Sequence, residues 1–373
     1  MIGIEGSYLL RANIDGFDDF LNESNLVSFI VLEEAGNLLP TCQMVFGCDI
    51  EKLLAKFHEG VVFKVSMGKS KDNMNDFSFR VLNITVTKTQ TVYNVELSAI
   101  LDALDYLVQG RVRTFPKDSA ANTIKKIAEK YFSWDKNNIT SSKDSQPWIQ
   151  YGITDKKMID DMWLLSDVGD RDVPLCGITS SKSFIYRSLL LNSGKYDWKF
   201  STIPDQNARS VGVMTDYLVE TLGNLTNLWT GYGRKKLIYD LEEGTSSDNL
   251  FIPKPFVALA KEINKAKAVE YAVTEAGTVS KNVDRNYWKT YYNNLSNLVM
   301  MSTVHLSLSI RQSYYPIKLL DRVMFTDYGI DGTTKTSSPY SGIYFITKIV
   351  NQVVDKELYT QVELTREALN KAV

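Results

Sequence analysis

Apolar and polar positions alternate with period two over most of the first hundred residues. Val27 to Leu32 and Thr41 to Phe46 are β-rich runs, and Gly36-Asn37 with Pro40 mark a turn between them. From Asp49 to Phe57 the spacing becomes helical, with Ile50, Leu53, Leu54 and Phe57 on one face and Asp49 placed as N-cap. After Gly60 period two returns. Val61 to Val65 reads as a strand, and 77–88 with 92–99 as a hairpin turning near Thr89-Gln90-Thr91.

The middle of the chain is mixed. Residues 100–108 are apolar at helical spacing, and Arg111 to Phe115 is short and extended. Asp118 is placed to cap a helix reaching Phe132, with Ile124 and Ile127 inward. The strand Trp148 to Gly152 leads into a helix capped by Thr154, whose buried side holds Met158, Ile159, Met162 and Leu165. A hairpin follows at 173–178 and 183–188, and residues 189–212 carry no clear element. Strand and turn signals fill 213–250, broken at Gly231 and Gly233. Pro253 and Pro255 precede a helix to Val269, and 274–283 reads as a loop. Asp284 opens an amphipathic helix with Tyr287, Trp288, Tyr291, Leu295, Leu298 and Val299 on its stripe. Val304 to Ile310 alternates cleanly, Arg322 to Thr326 follows a turn, and two long strands begin at Gly342.

The two ends of the chain resemble each other. Phe77 and its successors lie on Ile343 and its successors, with one residue of gap before Tyr93–Leu97 meets Tyr359–Leu364. Gly60 to Phe63 sits opposite Arg322 to Phe325. This suggests an internal duplication. The expected fold class is β-rich α+β, with units at 1–104 (a β-barrel), 105–212 (α/β), 213–250 plus 303–373 (a second barrel) and 251–302 (a helical insertion).

At 373 residues the chain exceeds what one core organises, and 44% hydrophobic with 23% charged residues is ordinary for a packed protein. A net charge of −2 supplies no electrostatic grip on DNA or anionic membrane. No apolar run approaches the roughly 20 residues that span a bilayer, and Met1 to Leu10 lacks a signal-peptide pattern, so no stable membrane insertion is expected. Cys42, Cys48 and Cys176 are an odd set without metal or disulfide spacing and read as buried small side chains.

Catalytic chemistry has little to stand on. His58 follows a helix, and His305 lies on the polar face of its strand in step with Ser307 and Ser309. Neither has a local nucleophile signature. Glu33-Glu34, Asp160-Asp161 and Glu242-Glu243 are adjacent pairs, which cannot flank a cleft as glycosidase carboxylates do. Gly231-Tyr-Gly233-Arg-Lys-Lys236 lacks the phosphate-loop pattern and reads as a basic turn. No catalytic, cofactor-binding or metal residue is assigned, no cofactor is expected, and the chain reads as a non-enzyme.

Three stretches, in this order, resemble the hub proteins of long-tailed phage tails and the N-terminal half of the VgrG spike proteins of type VI secretion. They are Val95–Leu101 with Arg111–Phe115 and Ser119–Ile127; Ile149–Ile159 with Leu164–Ser166; and Leu306 through Asp321–Phe325 to Val362–Arg366. The resemblance implies two tail-tube-like antiparallel barrels, the second interrupted by the insertion. It implies a homotrimer in which six barrels adapt a six-fold tube to a three-fold spike. The chain stops after the second barrel, which leaves the spike as a separate protein. Expected partners are tail tube or distal tail proteins, the central spike, and baseplate wedge or peripheral proteins, with DNA passing through unbound. The expected location is the virion's tail tip or baseplate, after synthesis in the host bacterial cytoplasm. The other functions weighed are a tail-tip peptidoglycan hydrolase and a receptor- or glycan-binding tail protein.

Overall fold

The structure is a computed structural model that describes residues 2–4, 8–21, 24–70, 73–90, 92–169, 172–189, 195–203, 210–221, 234–240, 243–251, 273–279, 287–310, 316–327, 338–354 and 357–367. The first barrel is built from β2 (Tyr8–Ile14), β3 (Leu26–Glu34), β4 (Thr41–Cys48), β5 (Val62–Ser70), β6 (Asn73–Thr89) and β7 (Val92–Leu101), with β1 (Ile2–Ile4) added beside β2. The strands pair in the order β2-β5-β6-β7-β4-β3. Alternation sends Phe29, Met44, Phe46, Phe63, Phe79, Val95 and Leu97 into one apolar core. Each such side chain contributes about 1.5–3 kcal/mol relative to exposure. Cys42 and Cys48 lie in the same core as free thiols, and burial pushes the Cys42 thiol far up.

The helix expected over 49–57 is shorter. α1 spans Glu51–Leu54, and Ile50 rather than Asp49 sits at its cap with no side-chain bond. Beyond it the turn tightens, Lys56 N bonding Leu53 O at 3.0 Å and Phe57 N bonding Leu54 O at 3.1 Å. This brings Phe57 against Phe20 and Phe46, with ring centroids 5.3 Å away in each case.

The middle segment holds α2 (Leu104–Val108), β8 (Gly110–Asp118), α3 (Ala120–Ala128), β9 (Ser133–Trp134), β10 (Gln146–Thr154), α4 (Asp155–Met162), a 3-10 turn (Trp163–Leu165), β11 (Pro174–Ile178) and β12 (Ser183–Ser188). The apolar run at 100–108 divides, because β7 continues to Leu101 before α2 begins. α3 is capped by Ser119, whose hydroxyl accepts from Asn122 N at 3.3 Å; Asp118 instead takes the Asn122 side-chain amide at 2.9 Å. Thr154 caps α4 as its spacing indicated. The two helices bury Ile124, Ile127, Met158 and Ile159 against Tyr106, Phe184 and Tyr186.

The second barrel closes completely. β13 (Trp198–Ser201), β14 (Ser210–Thr221), β18 (Val304–Ile310), β19 (Arg322–Thr326), β20 (Gly342–Val354) and β21 (Glu357–Arg366) run β13-β19-β20-β21-β18-β14, and β14 returns to β13. The region 189–212, left blank by the sequence pattern, thus holds β13 and the start of β14. Between β14 and β18 lie β15 (Arg234–Asp240), β16 (Thr245–Phe251), β17 (Val273–Val279) and α5 (Tyr287–Met301). The loop expected at 274–283 is strand where described, because β17 pairs in parallel with β15. The helix expected after Pro253 and the helix start at Asp284 lie outside the described residues.

In α5 the buried set is Thr290, Tyr292, Asn294, Ser296, Asn297, Met300 and Met301, while Tyr291, Leu295, Leu298 and Val299 are only half-buried. The polar side faces inward because carbonyls wait there. Asn294 Nδ2 donates to Leu164 O at 2.8 Å and to Ser166 O at 2.9 Å, and Asn297 donates to Asp172 O at 3.3 Å.

Counted along the chain, both barrels have the strand order one, four, five, six, three, two. They differ at the first strand: β2 runs antiparallel to β5, whereas β13 runs parallel to β19. The hairpins β6–β7 and β20–β21 carry a bulge at the same place, between Val81 and Asn83 and between Ile346 and Lys348, and their last pairs are Thr89↔Val92 and Val354↔Glu357. Pairing therefore matches Phe79 with Tyr344 and Ser98 with Glu363, without the gap that the sequence match required.

Candidate functional site

Three joints brace the barrels and the middle segment. In the first, β3 pairs antiparallel with the second half of β20, from Glu34↔Lys348 to Ser28↔Val354, so one sheet crosses both barrels. The same stretch separates the Glu33-Glu34 pair. Glu34 points out to Lys348 at 3.1 Å, while Glu33 points in and accepts from Ser180 N at 2.7 Å. Burial pushes the Glu33 carboxyl up, and the Ser180 bonds oppose that rise. Beside it Gly36 N bonds Cys176 O at 2.7 Å; a Cβ on Gly177 would come within 3.0 Å of the Leu319 side chain.

The second joint fixes the β8–β10 ribbon to the helices. Asp155 is fully buried at the start of α4. It accepts from Gln150 Nε2 at 2.9 Å and Tyr131 Oη at 2.8 Å, lies 3.3 Å from Arg111 Nε, and pairs with Arg113. Burial pushes its carboxyl up, but these bonds and the two guanidiniums hold it below the ordinary value. The third joint ties β12 to the second barrel. Arg187 lies 2.6 Å from Asp321 and 3.5 Å from Asp135, Trp198 Nε1 donates to Asp321 at 2.9 Å, and Lys318 reaches Asp135 at 2.8 Å. A cleft of about 650 Å³ beside it is lined by Asn138, Ser142, Asp167, Arg187 and Arg322.

The residues weighed for chemistry lie apart. His58 is exposed, its Nδ1 2.9 Å from Glu59 O. His305 has the carboxylate an imidazole base requires, with Nδ1 2.7 Å from Glu363 Oε1, but its Nε2 faces the Ser302 carbonyl at 3.1 Å. Two acceptors favour the doubly protonated ring, a poor proton acceptor. Asp160 and Asp161 pair with Lys156 and Lys157 one turn away on α4. Glu242 and residues 231–233 lie outside the described residues; Arg234, Lys235 and Lys236 belong to β15 rather than a turn. Among the described residues no three His, Cys, Asp or Glu side chains gather as a metal site.

Among the described residues, β6 and β14 each lack a neighbouring strand over part of one edge. From Leu82 to Thr89, β6 pairs with β7 on one side and with no described strand on the other. Beyond Gly212, β14 pairs with β18 and with no described strand opposite. A groove of about 480 Å³ runs beside this second edge, lined by Leu218, Ser307, Ser309, Lys348, Gln361 and Glu363. Sequence reading missed these edges, since alternation marks a strand's faces and says nothing of its neighbours.

No protein-family model matches the chain, and no curated protein matches it in sequence. Solved structures do. A tail protein from Neisseria meningitidis MC58 matches with a TM-score of 0.61 at 11% identity, covering 97% of both chains. The 43 kDa tail protein of prophage MuSo2 from Shewanella oneidensis matches with a TM-score of 0.60 at 8% identity, over 97% of this chain and 99% of that one. A chain of the half-lidded Francisella PdpA–VgrG complex matches with a TM-score of 0.51 at 10% identity, over 98% of this chain and 59% of that one. With two barrels of one strand order joined through β3 and β20, this chain has the fold of phage tail proteins along nearly its whole length.

Proposed function

We propose that this chain is the structural hub of a phage tail baseplate, a homotrimer that adapts the six-fold tail tube to a three-fold central spike. The observation that carries the reading is the repeated barrel: two barrels of one strand order in one chain become six in a trimer. A ring of six similar barrels matches a six-fold tube on one side, while its true symmetry remains three-fold for a spike. The tail-protein fold supports the same reading. In it the barrels correspond to 1–104 and to β13, β14 and 303–373. The expected piece 213–250 narrows to β14, because β15 and β16 form a separate sheet with β17, and the middle segment before β13 and the insertion from β15 through α5 are the outer units.

The hub is a non-enzymatic virion component of the tail tip or baseplate, made in the host cytoplasm and bound to tube, spike and peripheral baseplate proteins. DNA passes through the ring without specific binding, consistent with a net charge of −2. Light scattering on the purified chain tests the reading. A trimer is expected; a chain that stays monomeric with tube and spike partners present overturns it.

A further inference from the structure

The geometry points to a specific strand pairing between copies of this chain: the open edge of β6 in one subunit receives β14 of the next, antiparallel, as β20 receives β3 within the chain. This rests on the trimer reading and names the edges and register through which the ring closes.

The barrels supply the template. One edge of β20 is held by β21; the other is shared, by β19 up to Phe345 and by β3 from Lys348 onward. β6 is arranged likewise, with β7 on one edge and β5 on the other up to Arg80. Where β20 then meets β3, β6 meets no described strand. The consequence is visible in exposure. Ile349 and Val353 are buried at 2% and 1%, whereas Lys88, which corresponds to Val353, is exposed, and Leu82 and Val86 are 42% and 43% exposed.

β14 is the counterpart of β3, since it pairs with β18 as β3 pairs with β4. Beyond Gly212 it too meets no second described strand, and Leu218 is 56% exposed. Transferring the β3–β20 register fixes the pairs. Val31↔Asn351 becomes Val219 opposite Val86, and Ile30↔Gln352 becomes Leu218 opposite Thr87. The β6 edge from Ile84 to Thr89 is β-branched throughout except for Lys88, with no proline and a single charge to guard it. Such an edge is a template for another strand unless it is covered. Each copy offers one β6 edge and one β14 edge, a heterologous contact that rotation can close into a ring. Three β3–β20 joints within chains then alternate with three β6–β14 joints between them.

Cysteine cross-linking on the full-length chain tests this, because Cys42, Cys48 and Cys176 are all buried. The variants are Thr87→Cys with Leu218→Cys, and Val86→Cys with Val219→Cys. Facing residues of an antiparallel pair lie about 4.5–5.5 Å apart, within the span of a disulfide. Mild oxidation is expected to give covalent dimers and trimers for at least one double variant. Each single variant alone is expected to give none, and a mixture of complementary singles to stop at dimers. In parallel, Leu218→Lys is expected to weaken the trimer by about tenfold or more, by putting a charge in place of an exposed apolar side chain on the edge that the pairing covers. A trimer that cross-links through neither pair and is indifferent to Leu218→Lys overturns the pairing while leaving the trimer standing. A chain that is monomeric and never cross-links, with tail partners present, overturns both.

Discussion

His305 on β18 and Glu363 on β21 form an ion pair across neighbouring strands, Nδ1 to Oε1 at 2.7 Å, with side chains 20% and 30% exposed. The bond to Glu363 raises the His305 pKa above its ordinary 6.5 despite partial burial. The same bond holds Glu363 below its ordinary 4.5. The histidine's contribution is fully present below pH 6.5 and fades as pH rises through the folded value. The glutamate's is present above pH 4.5 and is lost as pH falls through its folded value. His305→Gln is therefore expected to cost about 0.5–1 kcal/mol near pH 5.5, for a pair so open to solvent. That difference should shrink above neutrality. Urea titrations of both proteins at several pH values check it.

Asp155→Ala removes the carboxylate that Arg111, Arg113, Gln150 and Tyr131 share. Truncating one member of a buried charge network costs about 3–5 kcal/mol. The lower end is expected, because Arg111 and Arg113 are 31% and 19% exposed and regain some water. Denaturant unfolding measures the loss.

Gly110→Ala is expected to strain the β8–β10 ribbon. Its Cβ would come within 2.7 Å of the Gly152 carbonyl oxygen, a backbone atom that cannot swing aside. A cost of about 1–3 kcal/mol is expected, in the range of overpacked sites. Hydrogen exchange should quicken first at the facing residues Thr154 and Ile153.

Ser119→Ala removes the hydroxyl that accepts from Asn122 N at the start of α3. A loss of about 1 kcal/mol is expected. Asp118→Ala should also register, since Asp118 receives Ser119 N and the Asn122 amide. A double-mutant cycle on thermal unfolding separates the two.

Elements whose pattern answers to local rules were legible in the chain itself. The alternation of Val304 to Ile310 reappears as a strictly alternating buried face, and Thr154 caps α4, because both depend only on side-chain periodicity or on a bond three residues away. The order of motifs was enough to indicate the barrels and the tail-protein fold. Tertiary contacts decided the rest. α5 buries Asn294 and Asn297, against its apolar stripe, because distant carbonyls at Leu164, Ser166 and Asp172 need donors. Glu33 turns inward because Ser180, far along the chain, meets it. The register between the two hairpins is set by bulges at Leu82 and Thr347, and the repeat in the residues themselves pointed to a different alignment. Which strand edges stay open was settled last, since a strand's own sequence encodes its two faces, while the occupant of each edge depends on how the whole sheet is wound.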